Sequence, residues 1–165
     1  MFEDKYSFSQ DQNRRFAKMN LTRLVFTNSK FVGVNTTLPQ TQTIIDGVGV
    51  NGISIDEHAE ENYLQELLKD KNKSVTEKSI EIMYHLMKNK IFRNGNKRTA
   101  TLVANKYMID NGVGLINIPL YCWDEWNKLI SDYYYDNDMS KIKEWTYKVG
   151  IQGIDIFKTN TKDKQ

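Results

Sequence analysis

The sequence predicts a mainly α protein, a compact helical bundle with one small β-hairpin, and three observations carry that expectation. Apolar residues recur at helical spacing along most of the chain. Helix-start signals stand in front of those stripes, and Ser54-Ile-Asp-Glu57 and Ser74-Val-Thr-Glu77 both fit the capping box, in which a hydroxyl and a carboxylate satisfy the free amides of a helix start. The one stretch with a strand-like pattern is Gly47-Val-Gly-Val-Asn-Gly-Ile53, where valine alternates with glycine.

Taken in order, a first helix is expected from about Gln10 to Asn28, with Phe16 and Leu24 inward and Phe31 at or beyond its end. Pro39, a good first-turn residue, opens a short helix that stops before Asp46-Gly47. In the following stretch, Asn51-Gly52 is a hairpin turn signal, and the segment reads either as a small hairpin or as an irregular helix connection. After the first capping box, Ala59, Tyr63, Leu64, Leu67 and Leu68 form one stripe; after the second, Ile80, Met83, Tyr84 and Met87 do the same. Another helix opens after Asn96 and stops at Asn111-Gly112, a left-handed cap signal. Pro119 opens a helix carrying Trp123, Trp126, Leu129, Ile130 and Tyr133, and Ser140 is expected to cap a last one with Ile142, Trp145 and Val149.

At 165 residues the chain is long enough for one domain with a sizeable core, expected over residues 1–157, followed by a polar disordered tail at 158–165. A net charge of +2 gives no electrostatic case for nucleic-acid binding. The aromatic residues near the C-terminus read as core, because Lys and Arg are not interleaved with them as in a strand-binding groove. No apolar run approaches the roughly 18 residues of a membrane span, and the opening MFEDKYSFSQ is unlike a signal peptide. The single cysteine, Cys122, reads as a half-buried helix residue with no internal disulfide partner, which fits a reducing, cytoplasmic setting.

Residues 90–98, KIFRNGNKR, carry the chemistry. Asn94, Gly95 and Asn96 tolerate positive φ, so successive amides can converge into an anion-binding concavity. The next helix starts at about Lys97 and points its positive end into the same place. Lys97 and Arg98 add cations, Arg98 being suited to a bidentate phosphate grip, and Phe92 anchors the loop inward. On these grounds alone the loop is either a phosphate cradle or a solvated turn between helices.

The segment Asn89-Lys-Ile-Phe-Arg-Asn-Gly-Asn-Lys-Arg-Thr-Ala100 resembles the signature of Fic/Doc (Fido) proteins, HPFx(D/E)GN(G/K)R in one-letter form. Upstream, Asn28-Ser-Lys-Phe-Val-Gly-Val-Asn-Thr-Thr-Leu-Pro39 is similar to the inhibitory-helix motif of many Fic proteins, (S/T)xxxEGNxxTLP. The resemblance covers roughly residues 10–150, with the inhibitory-like segment at about 10–38. It implies a Fic-type helical fold with a β-hairpin flap beside the active site, for which residues 47–53 are the candidate. It also implies nucleotide binding, usually of ATP with Mg²⁺, and transfer of AMP to a hydroxyl of a protein target.

The chain departs from that pattern where the chemistry is done. Lys90 stands where the family's histidine takes the proton of the target hydroxyl. A lysine pKa near 10.4 would have to fall by about 3, roughly 4 kcal/mol, for Lys90 to act as base near neutral pH, and a neighbouring phosphate opposes that fall. Asn94 replaces the acid that holds Mg²⁺; it remains a possible but weaker ligand. Lys97 replaces the second glycine, as in Doc-like members, and Thr101 replaces the second arginine of the longer AMP-transferase motif. Val32, beside Gly33, replaces the inhibitory glutamate, and Asn28 its hydroxyl partner. His85 and His58 read as structural or surface histidines. Three functions stay open: a phosphate- or nucleotide-binding domain with lost or altered AMP transfer, an active ATP-dependent transferase of Doc-like chemistry, and a protein-interaction module. A protein target or regulatory partner is expected in each.

Overall fold

A computed structural model of the chain describes residues 2–20, 57–89 and 96–153. Among these residues the elements are α1 (Gln10–Met19), α2 (Glu57–Lys69), α3 (Val75–Asn89), α4 (Asn96–Asn111), β1 (Leu115–Ile116), a 3₁₀ turn (Leu120–Cys122), α5 (Trp123–Asp136), α6 (Ser140–Val149) and β2 (Ile151–Gln152). The fold is mainly α, as the periodicity predicts. Its small sheet pairs β1 with β2 antiparallel, Leu115 opposite Gln152 and Ile116 opposite Ile151. This pair is not the expected hairpin, which lies outside the described residues, as do the helix opened by Pro39 and the tail at 158–165.

Helix α3 is the centre. Ile80, Met83, Tyr84 and Met87, the predicted stripe, are each at most 1% exposed. One side packs on α4, where Ala100, Ala104 and Met108 are fully buried; the two alanines let the helix axes approach closely. The other side meets Trp126, Ile130 and Tyr133 of α5 and Ile142 of α6. The Tyr84 hydroxyl accepts from Trp126 Nε1 at 2.8 Å and lies 2.5 Å from Thr146 Oγ1, joining three helices through one buried oxygen. Burial pushes the Tyr84 phenol up, so it stays neutral.

Several starts and stops differ from expectation. The α3 cap forms as predicted in one half, Glu77 N donating to Ser74 Oγ at 3.0 Å. The Glu77 carboxylate does not close the box; it accepts from Lys143 Nζ of α6 at 2.8 Å and from Phe2 N at 3.4 Å. Asp4 Oδ1 supplies a further cap, accepting from Thr76 N at 2.7 Å. Helix α1 ends at Met19, where the Asn20 side chain binds the Phe16 carbonyl at 2.9 Å and closes the last turn; the rest of the expected stretch to Asn28, with Leu24 and Phe31, lies outside the described residues. Leu68 is 44% exposed, since it stands roughly 100° round the helix from the buried Leu67. Ser140 is the first residue of α6 rather than its cap, and its amide donates to Asp138 Oδ1 at 2.9 Å.

The chain after α4 is pinned atom by atom. Gly112 N bonds the Ile109 carbonyl and Val113 N the Met108 carbonyl, a Schellman end with Gly112 at φ +70°. A Cβ on Gly112 would fall 1.9 Å from the Phe8 carbonyl oxygen, so the position requires glycine. Two buried asparagines then behave like extra strand residues. Asn13 exchanges hydrogen bonds with Gly114 (3.2 and 2.8 Å), and Asn105 does so with Ile116 (2.9 and 2.8 Å).

Asn105→Ala is expected to leave both backbone groups of Ile116 unpaired in the interior and to cost about 2–3 kcal/mol, read as a shift in urea midpoint at unchanged slope; a loss below about 0.5 kcal/mol would contradict the clamp. A second expectation concerns pH. Burial acts to raise the Glu77 carboxyl, but the Lys143 hydrogen bond and charge outweigh it and hold the pKa below the ordinary 4.5. Burial likewise acts to lower Lys143, and its bonds to Glu77 and Glu81 raise it above 10.5. The carboxylate's contribution is therefore present above its unfolded pKa and lost as pH falls through the folded one; the lysine's is present below 10.5 and lost as pH rises beyond. In Lys143→Met the half-buried Glu77 carboxylate loses its main cation, while Glu81 keeps Lys73; Glu77 then binds a proton more readily folded than unfolded, so stability should rise as pH is lowered from about 7 to about 5. Thermal melts across that range test this, and a flat profile in the variant would oppose it.

Candidate functional site

The first turn of α4 is moored from within. Thr101 Oγ1 donates to the Lys97 carbonyl at 2.8 Å, Asn105 Nδ2 to the Thr101 carbonyl at 3.1 Å, and Asn105 in turn holds β1 at Ile116. These i, i+4 steps run down one helix face, so the charged turn is tied to the sheet by side chains two turns away. Thr101, which stands where the resemblance would place a second arginine, is 6% exposed and its hydroxyl is used inside.

Asn96, Lys97 and Arg98 are brought together at the start of α4, all half-buried. The first turn carries no acidic residue, so the positive end of the helix has no carboxylate of its own to meet it. Burial pushes the Lys97 ammonium below the ordinary lysine value. Arg98 Nη1 is enclosed and makes no hydrogen bond. An enclosed guanidinium donor without an acceptor is costly, and an anion seated on this turn would relieve it, Lys97 and the helix dipole together. Lys90, Phe92, Asn94 and Gly95 of the motif loop, and Asn28, Val32 and Gly33 of the inhibitory-like segment, lie outside the described residues.

No group of three His, Cys, Asp or Glu among the described residues is placed to hold a metal. Among those residues no helix is long and apolar enough to cross a membrane. Cys122 is a half-buried free thiol just before α5.

Beside the C-terminal half of α3 lies a cleft of about 660 Å³, bounded by Tyr63 of α2 and by the turn between α5 and α6. His85 stacks flat on Tyr63, ring centres 3.8 Å apart at 18°, and Asn89 Nδ2 donates to its ring at 3.0 Å. Lys88 bonds Asn137 Oδ1 and stands 4.9 Å from the centre of the Tyr133 ring. Reading the sequence did not find this cleft, because its walls are about 50 residues apart in the chain and share no spacing. The supporting pair Thr101 and Asn105 was missed as well, although polar residues four apart between Ala100, Ala104 and Met108 are a readable signal of a bonded helix face.

A family model described as the Fic/DOC family matches residues 25–108. No curated protein and no solved structure matches the chain. The matched span is more than half of the 165 residues and takes in the latter part of the inhibitory-like segment, with its motif, α2, α3, the motif loop and all but the last turn of α4. Two motifs in the family's order, a mainly helical fold and a cationic turn opening the helix after the motif all agree with that match, and the chain belongs to the Fic/DOC family.

Proposed function

We propose that the chain is a single Fic-type domain, over residues 1–157, that binds a nucleotide through its phosphates at the start of α4 and has lost ordinary AMP transfer. The observation that carries this reading is Arg98, whose enclosed Nη1 lacks an acceptor on a helix turn without an acid. Arg98 grips the phosphate from the side, Lys97 adds charge, and Gly95 and Asn96 offer amides. ATP fits this donor set. Mg²⁺ fits it poorly, since Asn94 is neutral and the turn already brings two cations. Charge neutralisation thus falls to Lys97 and Arg98. Lys90, charged near neutral pH, serves as a further phosphate contact rather than a base. The domain acts by binding, on a protein target or as the regulatory partner of one, in the cytoplasm. The loss of Val32's predecessor in the family pattern, the inhibitory glutamate, is coherent with this: without transfer there is nothing to restrain.

A second reading has one feature in its favour. Lys97 takes the place of the second glycine, as in Doc-like members, and supplies next to the phosphate the charge a metal otherwise brings. On that reading the domain transfers phosphate from ATP to a protein hydroxyl.

Calorimetric titration with ATP should show binding that is little changed by Mg²⁺ and lost by at least tenfold in Arg98→Ala; no heat at millimolar nucleotide would reject the phosphate site. Incubation of the protein with ATP and a lysate should label nothing, whereas a phosphorylated band that vanishes in Lys90→Ala would favour the second reading. The pair Lys90→His with Asn94→Asp should restore at most weak AMP transfer, because Lys97 still occupies a glycine position; robust labelling by the double variant would overturn that expectation.

A further inference from the structure

The cleft beside α3 has a charge pattern of its own. Glu81, on its floor, is met by two cations, Lys73 at 2.7 Å and Lys143. Lys88 is held by a neutral amide and an aromatic face. Asp138 has no ion-pair partner among the described residues; hydrogen bonds from Ser140 hold its carboxyl below the usual range, so it is charged. Lys88 thus has no carboxylate at salt-bridge distance among the described residues, and Asp138, which feels the charge of Lys141, has no salt bridge there either. Two carboxylates, Glu81 and Asp138, and two lysines, Lys88 and Lys143, line it, so it lacks the acid-free cationic character of the α4 turn. A carboxamide can donate and accept at once, as a peptide group requires; Asn89 Nδ2 already meets His85, and Asn137 Oδ1 already accepts from Lys88. Tyr63 and Tyr133 supply flat walls. At about 660 Å³ the space is in the range of clefts that enclose a ligand.

We propose that this cleft binds an extended polypeptide segment that sets a basic side chain against Asp138 while Lys88, Asn89 and Asn137 engage its backbone. The segment runs past the end of α3, whose next residue is Lys90 of the motif loop, so the polypeptide lies at the opposite end of that loop from the phosphate site. This goes beyond the phosphate reading and stands on separate residues.

The test uses the labelled full chain overlaid on an array of random-sequence nonapeptides, followed by titration of the best basic peptide and its Lys→Glu counterpart into ¹⁵N-labelled protein. Bound peptides should be enriched in lysine and arginine. The basic peptide should shift the amides of Asn89 and Asn137–Ser140 and bind at least fivefold more tightly than its acidic counterpart. Asp138→Asn, which keeps the oxygen that accepts from Ser140, should weaken the basic peptide at least fivefold with the helical circular dichroism unchanged. ATP should shift Lys97 and Arg98 and leave the cleft resonances in place. No basic enrichment, an affinity unchanged in Asp138→Asn, or ATP shifts centred on the cleft would each overturn the proposal. Arg98→Ala protein that has lost ATP but keeps the basic peptide would show the phosphate reading and this one to be independent.

Discussion

The burial of α3 is the constraint to which the rest of the structure answers. Eleven of its fifteen residues are buried, and they include Glu77, Lys78, Ser79 and Glu81 as well as the apolar stripe. A helix buried over most of its surface must find a partner for each charge it carries inside, because an unpaired buried ion costs several kcal/mol. The partners come from everywhere around it. Lys143 of α6 meets both glutamates, Lys73 meets Glu81, and Lys78 reaches the Leu68 carbonyl of α2 at 3.0 Å. The segment before α1 is drawn in by the same demand, with Phe2 N on Glu77 and Asp4 on Thr76. These bonds orient α2, α6 and the N-terminal segment about α3, while the apolar contacts supply the bulk of the driving force.

Against that background the start of α4 stands out. Inside the bundle nearly every polar group is answered: Asn13 and Asn105 by backbone, Tyr84 by Trp126 and Thr146. The exceptions include Thr76 Oγ1, a neutral hydroxyl, and Arg98 Nη1, which belongs to a cation and is the costlier of the two to enclose unpaired. The charged turn is also the end of α4 that the Thr101 and Asn105 ladder keeps in place. A rigid mounting and an unsatisfied cation together are what a preformed anion seat requires, since the ligand then meets donors already in position.

Membership of the Fic/DOC family sharpens the contrast between what the chain retains and what it has replaced. Gly95, Asn96 and Arg98, which shape the family's cradle, are present; the histidine, the acid and the inhibitory glutamate are Lys90, Asn94 and Val32. In residue type, each replacement adds positive charge or removes negative charge relative to the family's motifs.

The sequence by itself determined the helices and the family. Helical spacing put Ile80, Met83, Tyr84 and Met87 in the core, Asn111-Gly112 marked the end of α4, and the cationic turn at Asn96–Arg98 was legible because local backbone preference and residue type are enough to write it. Caps were half legible: Ser74 behaved as expected, but Glu77 was taken by Lys143 and Ser140 yielded to Asp138, since a side chain with two competing partners is decided by what packs beside it. Only the tertiary structure decided the β1–β2 pair, the asparagine clamps and the cleft. Each joins segments distant in the chain, Asn13 with Gly114, Ile116 with Ile151, Lys88 with Asn137, and no local periodicity encodes a contact made only when the helices close on α3. That Arg98 Nη1 is left without an acceptor is a fact of the same kind, because an unmet hydrogen bond exists only once the surroundings have formed.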